Sequence, residues 1–199
     1  MAKSPGFRRS VASRLTLPVV RLLTGAHVTP DAVSWFGFAV AIGAAVLIAT
    51  EHLFAGGFVV LVAGFFDILD GALARNTNRV SRFGAALDSF LDRLSEAIWL
   101  LAILIVYARA GSFAGLILVF VTLISSQMVS YIRAKAEALG LECQVGWCTR
   151  PERVIILALG LLLSQIEYAL ITALWVIAVF SVITAGQRLV HVWRQTKVG

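Results

Sequence analysis

Six long apolar runs, separated by short polar connections, follow one another along the chain: roughly 31–50, 53–75, 84–108, 112–138, 152–166 and 168–192. A membrane-spanning helix needs about 20 mostly apolar residues, and each run reads as one such helix. The fifth is short, and the third carries an acidic pair near its start. The pattern predicts an all-α integral membrane protein of six transmembrane helices in one domain over 1–199, with no room for a separate soluble unit. No internal repeat and no low-complexity segment interrupts it. Only 14% of residues are charged, against about 25% in soluble domains, and the mean hydropathy is +0.89.

Ahead of the first run, residues 7–24 (FRRSVASRLTLPVVRLLT) set basic and apolar residues at helical spacing. This predicts an N-terminal amphipathic interfacial helix on anionic lipid, within a cytoplasmic segment 1–25. Pro18 would bend or break it, and the segment lacks the apolar core and cleavage site of a signal peptide. Lys and Arg fall in that segment, in the second connection (Arg75, Arg79, Arg82), in the fourth (Arg133, Lys135, Arg150, Arg153) and in the tail (Arg188, Arg194, Lys197). The opposite connections carry almost none, Arg109 excepted. By the positive-inside rule both termini are cytoplasmic, in a multi-pass protein of the cell (inner) membrane. The expected surroundings are membrane lipid, not nucleic acid.

Against this apolar background stand four aspartates, Asp67, Asp70, Asp88 and Asp92. An Asp at the centre of a membrane helix costs roughly 2.5–3.5 kcal/mol, so four near one depth need a shared purpose. Asp67 and Asp70 are spaced i, i+3 and Asp88 and Asp92 i, i+4, so each pair shares one helix face. Two such helices packed together offer an all-oxygen cage for a hard cation such as Mg2+. The competing structural reading is that Arg75, Arg79, Arg82 and Arg93 merely neutralise the acids, but that accounts for neither the neighbouring glycines nor the spacing.

With its gaps, the central run is Asp67-x-x-Asp70-Gly71-x-x-Ala74-Arg75, eight residues, then Gly84-x-x-x-Asp88-x-x-x-Asp92. It resembles the signature of the CDP-alcohol phosphotransferase family, with all eight signature residues in order over 26 positions. The resemblance implies an enzyme that binds a cytidine diphosphate ester, CDP-diacylglycerol, with two metal ions (Mg2+, or Mn2+) on Asp67, Asp70, Asp88 and Asp92. Two divalent ions clamp such a pyrophosphate, and Asp92 is placed to take the proton of the attacking hydroxyl. Gly71 and Gly84 let the nucleotide approach the backbone, Ala74 keeps that wall low, and Arg75 suits phosphate. Ser81 and Arg82 can add hydrogen bonds, while Asp31 and Ser34, opening the first span, are expected to reach the cytidine.

The acceptor alcohol must be read from the rest of the chain. Arg133, Lys135, Arg150, Arg153 and Arg188 gather at the cytoplasmic ends of three helices. A basic pocket beside the metal site suggests a second anionic substrate, and arginine forks suit a phosphate monoester. The stretches SYIRAKAEALGL, RPERVII, SVITAGQRLVHVW, LTLPVVRLL and VTPDAVS resemble an actinobacterial branch of the same family. That branch implies 1D-myo-inositol 3-phosphate as acceptor, phosphatidylinositol phosphate and CMP as products, and Lys135, Arg153 and Arg188 on the inositol phosphate. Arg133 and Arg150 are secondary candidates there. Glycerol 3-phosphate, giving phosphatidylglycerol phosphate, is the alternative acceptor. A cation transporter is the non-enzyme alternative, since intramembrane acids also mark ion paths.

Three further features complete the reading. Small residues (Gly37, Gly43, Ala44, Ala45, Gly56, Gly57) permit close helix contact, and the family resemblance implies a homodimer. Cys143 and Cys148 lie in a predicted cytoplasmic loop without further ligands nearby and read as inert. His27, His52 and His191 are too scattered for a histidine metal site.

Overall fold

The structure is a computed structural model that describes residues 19–20, 22–25, 28–77 and 80–197. Among the described residues the regular structure is helical, with six helices of 13 residues or more: α1 (Pro30–Ala49), α2 (Leu53–Asn76), α3 (Arg82–Arg109), α4 (Phe113–Ala138), α5 (Arg150–Leu162) and α6 (Ala169–Lys197). These correspond one for one to the six apolar runs. Most of the N-terminal interfacial helix expected over 7–24 lies outside the described residues; 22–25 are helical.

Local chemistry sets the boundaries. Thr29 caps α1 through a bond from the Ala32 N–H, with Pro30 as the first helical residue, a position where a missing N–H costs nothing. Ser81 caps α3 and Ser112 caps α4. Thr50 and Thr77 close α1 and α2, their hydroxyls turned back on the Val46 and Leu73 carbonyls. Four helices, α1, α2, α4 and α6, are long and apolar enough to cross a membrane by length and composition. The charges of α3 and the 13 residues of α5 keep those two outside that criterion.

The helices close into a ring. α1 packs on α2 and α3, α2 on α5, α5 on α6, α6 on α4, and α4 on α3. Small side chains make this possible: α1 buries Gly37, Ala41 and Ala44 along one stripe. At Gly57 a side chain would lie 2.8 Å from Leu161 Cβ and 3.0 Å from the Ala158 carbonyl, so α2 and α5 meet almost backbone to backbone. Lipid is as apolar as leucine, and such close van der Waals contact is what membrane helices use in place of a hydrophobic drive. Gly43, by contrast, is exposed, with open space among the described residues where a side chain would stand. The core holds Trp99, Ile103, Leu157, Leu161 and Leu174, and the Trp99 indole N–H donates to the Ala41 carbonyl at 3.0 Å, tying α3 to α1. A second cluster of Val20, Val33, Leu69, Ala72 and Leu73 seats the chain preceding α1 against α1 and α2. Large apolar side chains, among them Trp35, Phe58, Phe65, Phe120 and Trp175, are exposed around the outside, as lipid-facing positions should be.

Candidate active site

The acids stand where α2 ends and α3 begins, on either side of the 77–81 connection. Asp67, Asp70, Asp88 and Asp92 line one cleft, with Ser34 and Gly37 of α1, Ser95 and Trp99 of α3, and Arg150 of α5. Asp67, Asp88 and Asp92 each turn a carboxylate oxygen to a common point, these atoms all lying within 4.8 Å of one another. Asp70 is the most buried of the four, at 5% exposure. It accepts a bond of 2.5 Å from the Ser34 hydroxyl, which joins α1 to the acid cluster, a contact the sequence reading, which aimed Ser34 at the cytidine, did not foresee.

A guanidinium from a distant part of the chain completes the cluster. Arg150 Nη1 lies 2.6 Å from Asp67 Oδ2 and Nη2 lies 2.8 Å from Asp92 Oδ1. Of the arginines offered by the neutralising alternative, Arg93 turns to the Ser89 carbonyl of its own helix and Arg75 folds back over Gly71, while Arg79 lies outside the described residues. Four carboxylates thus converge around one directly paired guanidinium. Oxygen donors in that number and spacing fit hard divalent cations, and the site's chemistry is therefore that of a metal centre.

The proposed nucleotide wall is built from the same elements. Ser81 accepts from the Gly84 N–H at 2.8 Å and so starts α3. A methyl group at position 84 would lie 2.9 Å from Ser81 Oγ and 3.1 Å from Asp31 Oδ1. Gly84 is thus the point at which the first turns of α1 and α3 touch, and any side chain there would push Asp31 away. On the last turns of α2, Gly71 and Ala74 are half-buried and Arg75 is exposed.

The basic residues part company. Lys135 and Arg133 are exposed on the last turns of α4, Arg133 paired with Glu137 at 2.8 Å. Arg188 of α6, only 3% exposed, donates to the Val145 carbonyl at 2.9 Å and to the Val129 carbonyl at 2.5 Å, pinning the strap 139–149 that joins α4 to α5. The Cys148 N–H donates to Thr184 on the same face of α6 at 3.1 Å. Arg153, 1% exposed, grips Glu96 with Nε at 2.7 Å and Nη2 at 2.8 Å. Of the five, Arg150 alone enters the acid cleft. Glu96 was not singled out by its sequence, although it continues the Asp88, Asp92 spacing by one more turn. Cys143 and Cys148 are both buried, and burial pushes the Cys148 thiol up against the opposing pull of Arg153, which keeps it protonated and unreactive.

A CDP-alcohol phosphatidyltransferase family model matches residues 27–185. The chain belongs to the CDP-alcohol phosphatidyltransferase family. It is thus a membrane enzyme of phosphatidyl transfer, and the transporter alternative falls away. Among relatives of this phosphatidyltransferase is the phosphatidylinositol phosphate synthase of Mycobacterium marinum, 41% identical over 97% of this chain and 86% of that protein. Two crystal structures of the Mycobacterium tuberculosis phosphatidylinositol phosphate synthase match its fold. One, with CDP-DAG bound, has a TM-score of 0.84 at 38% identity, covering 90% of this chain and 94% of that one. The other, in complex with manganese and citrate, has a TM-score of 0.81 at 39% identity, covering 89% and 88%.

Proposed function

We propose that this phosphatidyltransferase moves the phosphatidyl group from CDP-diacylglycerol to 1D-myo-inositol 3-phosphate, giving phosphatidylinositol phosphate and CMP. The observation that carries the reading is the juxtaposition of the four-carboxylate cluster with Arg150, at the end of the bundle that also presents Lys135 and Arg133. The similarity to phosphatidylinositol phosphate synthases over 97% of the chain supports the acceptor.

Asp67, Asp70, Asp88 and Asp92 would hold two divalent ions, Mg2+ or Mn2+. When bound, such ions neutralise the pyrophosphate and stabilise the charge that develops on the transferred phosphoryl oxygens. Ser34 holds Asp70 at its post through the 2.5 Å bond. Gly84, with Asp31 and Ser81 beside it, and Gly71, Ala74 and Arg75 form the nucleotide wall. Asp92 takes the proton of the inositol hydroxyl, the oxygen attacks the phosphorus bearing diacylglycerol, and CMP departs. Lys135, Arg153 and Arg188 receive the acceptor phosphate, with Arg133 and Arg150 as secondary candidates, Arg150 being the one that lines the acid cleft. The helices form a six-span bundle with both termini and the cleft on the cytoplasmic side of the cell membrane, and two copies associate as a homodimer.

CMP release from CDP-diacylglycerol by the purified protein with Mg2+ tests this, comparing inositol 3-phosphate, free inositol and glycerol 3-phosphate. Release with inositol 3-phosphate alone is the expected result. Release with glycerol 3-phosphate alone would keep the donor chemistry and replace the acceptor.

A further inference from the structure

The strap 139–149 carries no helix or strand over 141–146, and peptide groups taken out of water need partners wherever regular structure supplies none. α6 supplies three. The Thr184 hydroxyl accepts from the Cys148 N–H at 3.1 Å, Arg188 Nε donates to the Val145 carbonyl at 2.9 Å, and Gln195 Nε2 donates to the Glu142 carbonyl at 2.8 Å. Residues 184, 188 and 195 are spaced by four and seven, so they share one helix face. They meet strap residues 148, 145 and 142 in reverse order, a seam along the last turns of α6. The middle of the seam has no room to spare. Gly146 has φ +126°, backbone that residues with a Cβ rarely adopt. A Cβ there would collide with the Thr184 methyl and lie 3.5 Å from Arg188 Nε. Thr184 itself is sealed, at 0% exposure.

We propose that Gly146 and Thr184 are positioning residues for the acceptor phosphate: they hold the strap against α6 at the separation at which the Val145 carbonyl aims the Arg188 guanidinium. The inference rests on the acceptor reading above. Arg188 spends Nε on Val145 and one hydrogen of Nη1 on the Val129 carbonyl at 2.5 Å. Two carbonyls from two elements fix the plane of a rigid fork and leave both Nη2 hydrogens for an anion. A strap displaced by about 1 Å would carry Val145 with it and turn that fork, and a misplacement of this size costs up to about 100-fold. The same strap ends at Thr149, the N-cap of α5, so it also sets where the first turn of α5 presents Arg153. The donor side stands on other elements. Ser34, Asp67, Asp70 and Asp88 lie on α1, α2 and α3, and α2 and α3 each pack directly on α1. The seam therefore acts on the acceptor side selectively.

Thr184→Val keeps the buried volume and the methyl and removes the oxygen that accepts from Cys148. Its expected signature is a KM for inositol 3-phosphate raised roughly 10- to 100-fold, with the KM for CDP-diacylglycerol and the Mn2+ affinity, read by electron paramagnetic resonance, within about twofold of wild type. Thr184→Ser keeps the oxygen and should return the acceptor KM to within about threefold of wild type. A merely structural role would lower the active fraction, and so kcat, without splitting the two KM values. Gly146→Ala drives a methyl into Thr184 and should weaken acceptor binding at least as much as Thr184→Val. Gly146→Ala/Thr184→Ser removes the methyl that is struck and should recover part of that loss, the strained φ accounting for the rest. On an Arg188→Ala background Thr184→Val should add less than about twofold, since residues acting through one another are not additive. Wild-type acceptor KM in Thr184→Val, a defect that Thr184→Ser does not relieve, equal rises in both substrates' KM, or full additivity with Arg188→Ala would each overturn the proposal. Wild type is run in parallel with inositol 3-phosphate and glycerol 3-phosphate. If it turns over only the latter, the acceptor assignment fails, and the seam is judged on glycerol 3-phosphate by the same criteria.

Discussion

Asp67 and Asp92 share one guanidinium, yet their replacements should behave differently. Asp92→Asn keeps the cluster's other three acids and loses the group that accepts the proton. Turnover should fall by roughly 10²- to 10⁴-fold, the range for a lost general base, while CDP-diacylglycerol still binds. Asp67→Asn should lose Mn2+ binding and donor binding together. Steady-state kinetics beside electron paramagnetic resonance of Mn2+ separates the two, and full activity in Asp92→Asn would remove it from the base role. Gly84→Ala puts a methyl 3.1 Å from Asp31; a several-fold rise in donor KM with unchanged acceptor KM is expected. The four acids were legible in the sequence because local spacing places each pair on one helix face, and the structure brings them to one cleft. Arg150 in the acid cleft and Glu96 against Arg153 were not: the partners stand 83 and 57 residues apart, and only the closing of the bundle pairs them.

At the scale of the element, α5 is the one whose boundaries the apolar pattern misplaced. The run 152–166 becomes a helix of Arg150–Leu162, because Thr149 and Glu152 form a capping box that starts it early, the Glu152 carboxylate accepting from the Thr149 N–H at 3.0 Å. Ser164 and Ile166 then donate to the Leu161 and Leu163 carbonyls in turns, ending it early. α6 runs on to Lys197, five residues past its apolar run, while α1 to α4 agree with theirs to within two residues, Thr29, Ser81 and Ser112 capping α1, α3 and α4 where those runs begin. Thr149→Ala should cost about 1 kcal/mol, as lost N-caps do, and should lower the thermal midpoint of the purified protein. Because α5 brings Arg150 to the cleft, acceptor kinetics should weaken with it, while donor KM stays put. An unchanged midpoint would show that the strap, not the cap, holds this helix start.

The described helices form a ring with the four aspartates and Arg150 gathered in one cleft. The membrane class and the number of long helices were readable from hydropathy alone; the order around the ring was not, because nothing in the pattern says that α2 meets α5 or that α4 meets α6. Topology is testable directly. Single cysteines placed at residue 197 and at residue 111, in a Cys143→Ala/Cys148→Ala background, should be labelled by an impermeant maleimide from opposite sides of right-side-out and inverted vesicles, residue 197 from the cytoplasmic side. Labelling of both from one side would break the alternating arrangement of spans. The central claim, however, concerns which bond is made. Purified protein with CDP-diacylglycerol, Mg2+ and inositol 3-[32P]phosphate should carry the label into the chloroform phase, one label for each CMP released. CMP released without label in the lipid phase, or label incorporated only when glycerol 3-[32P]phosphate replaces the inositol ester, would contradict it.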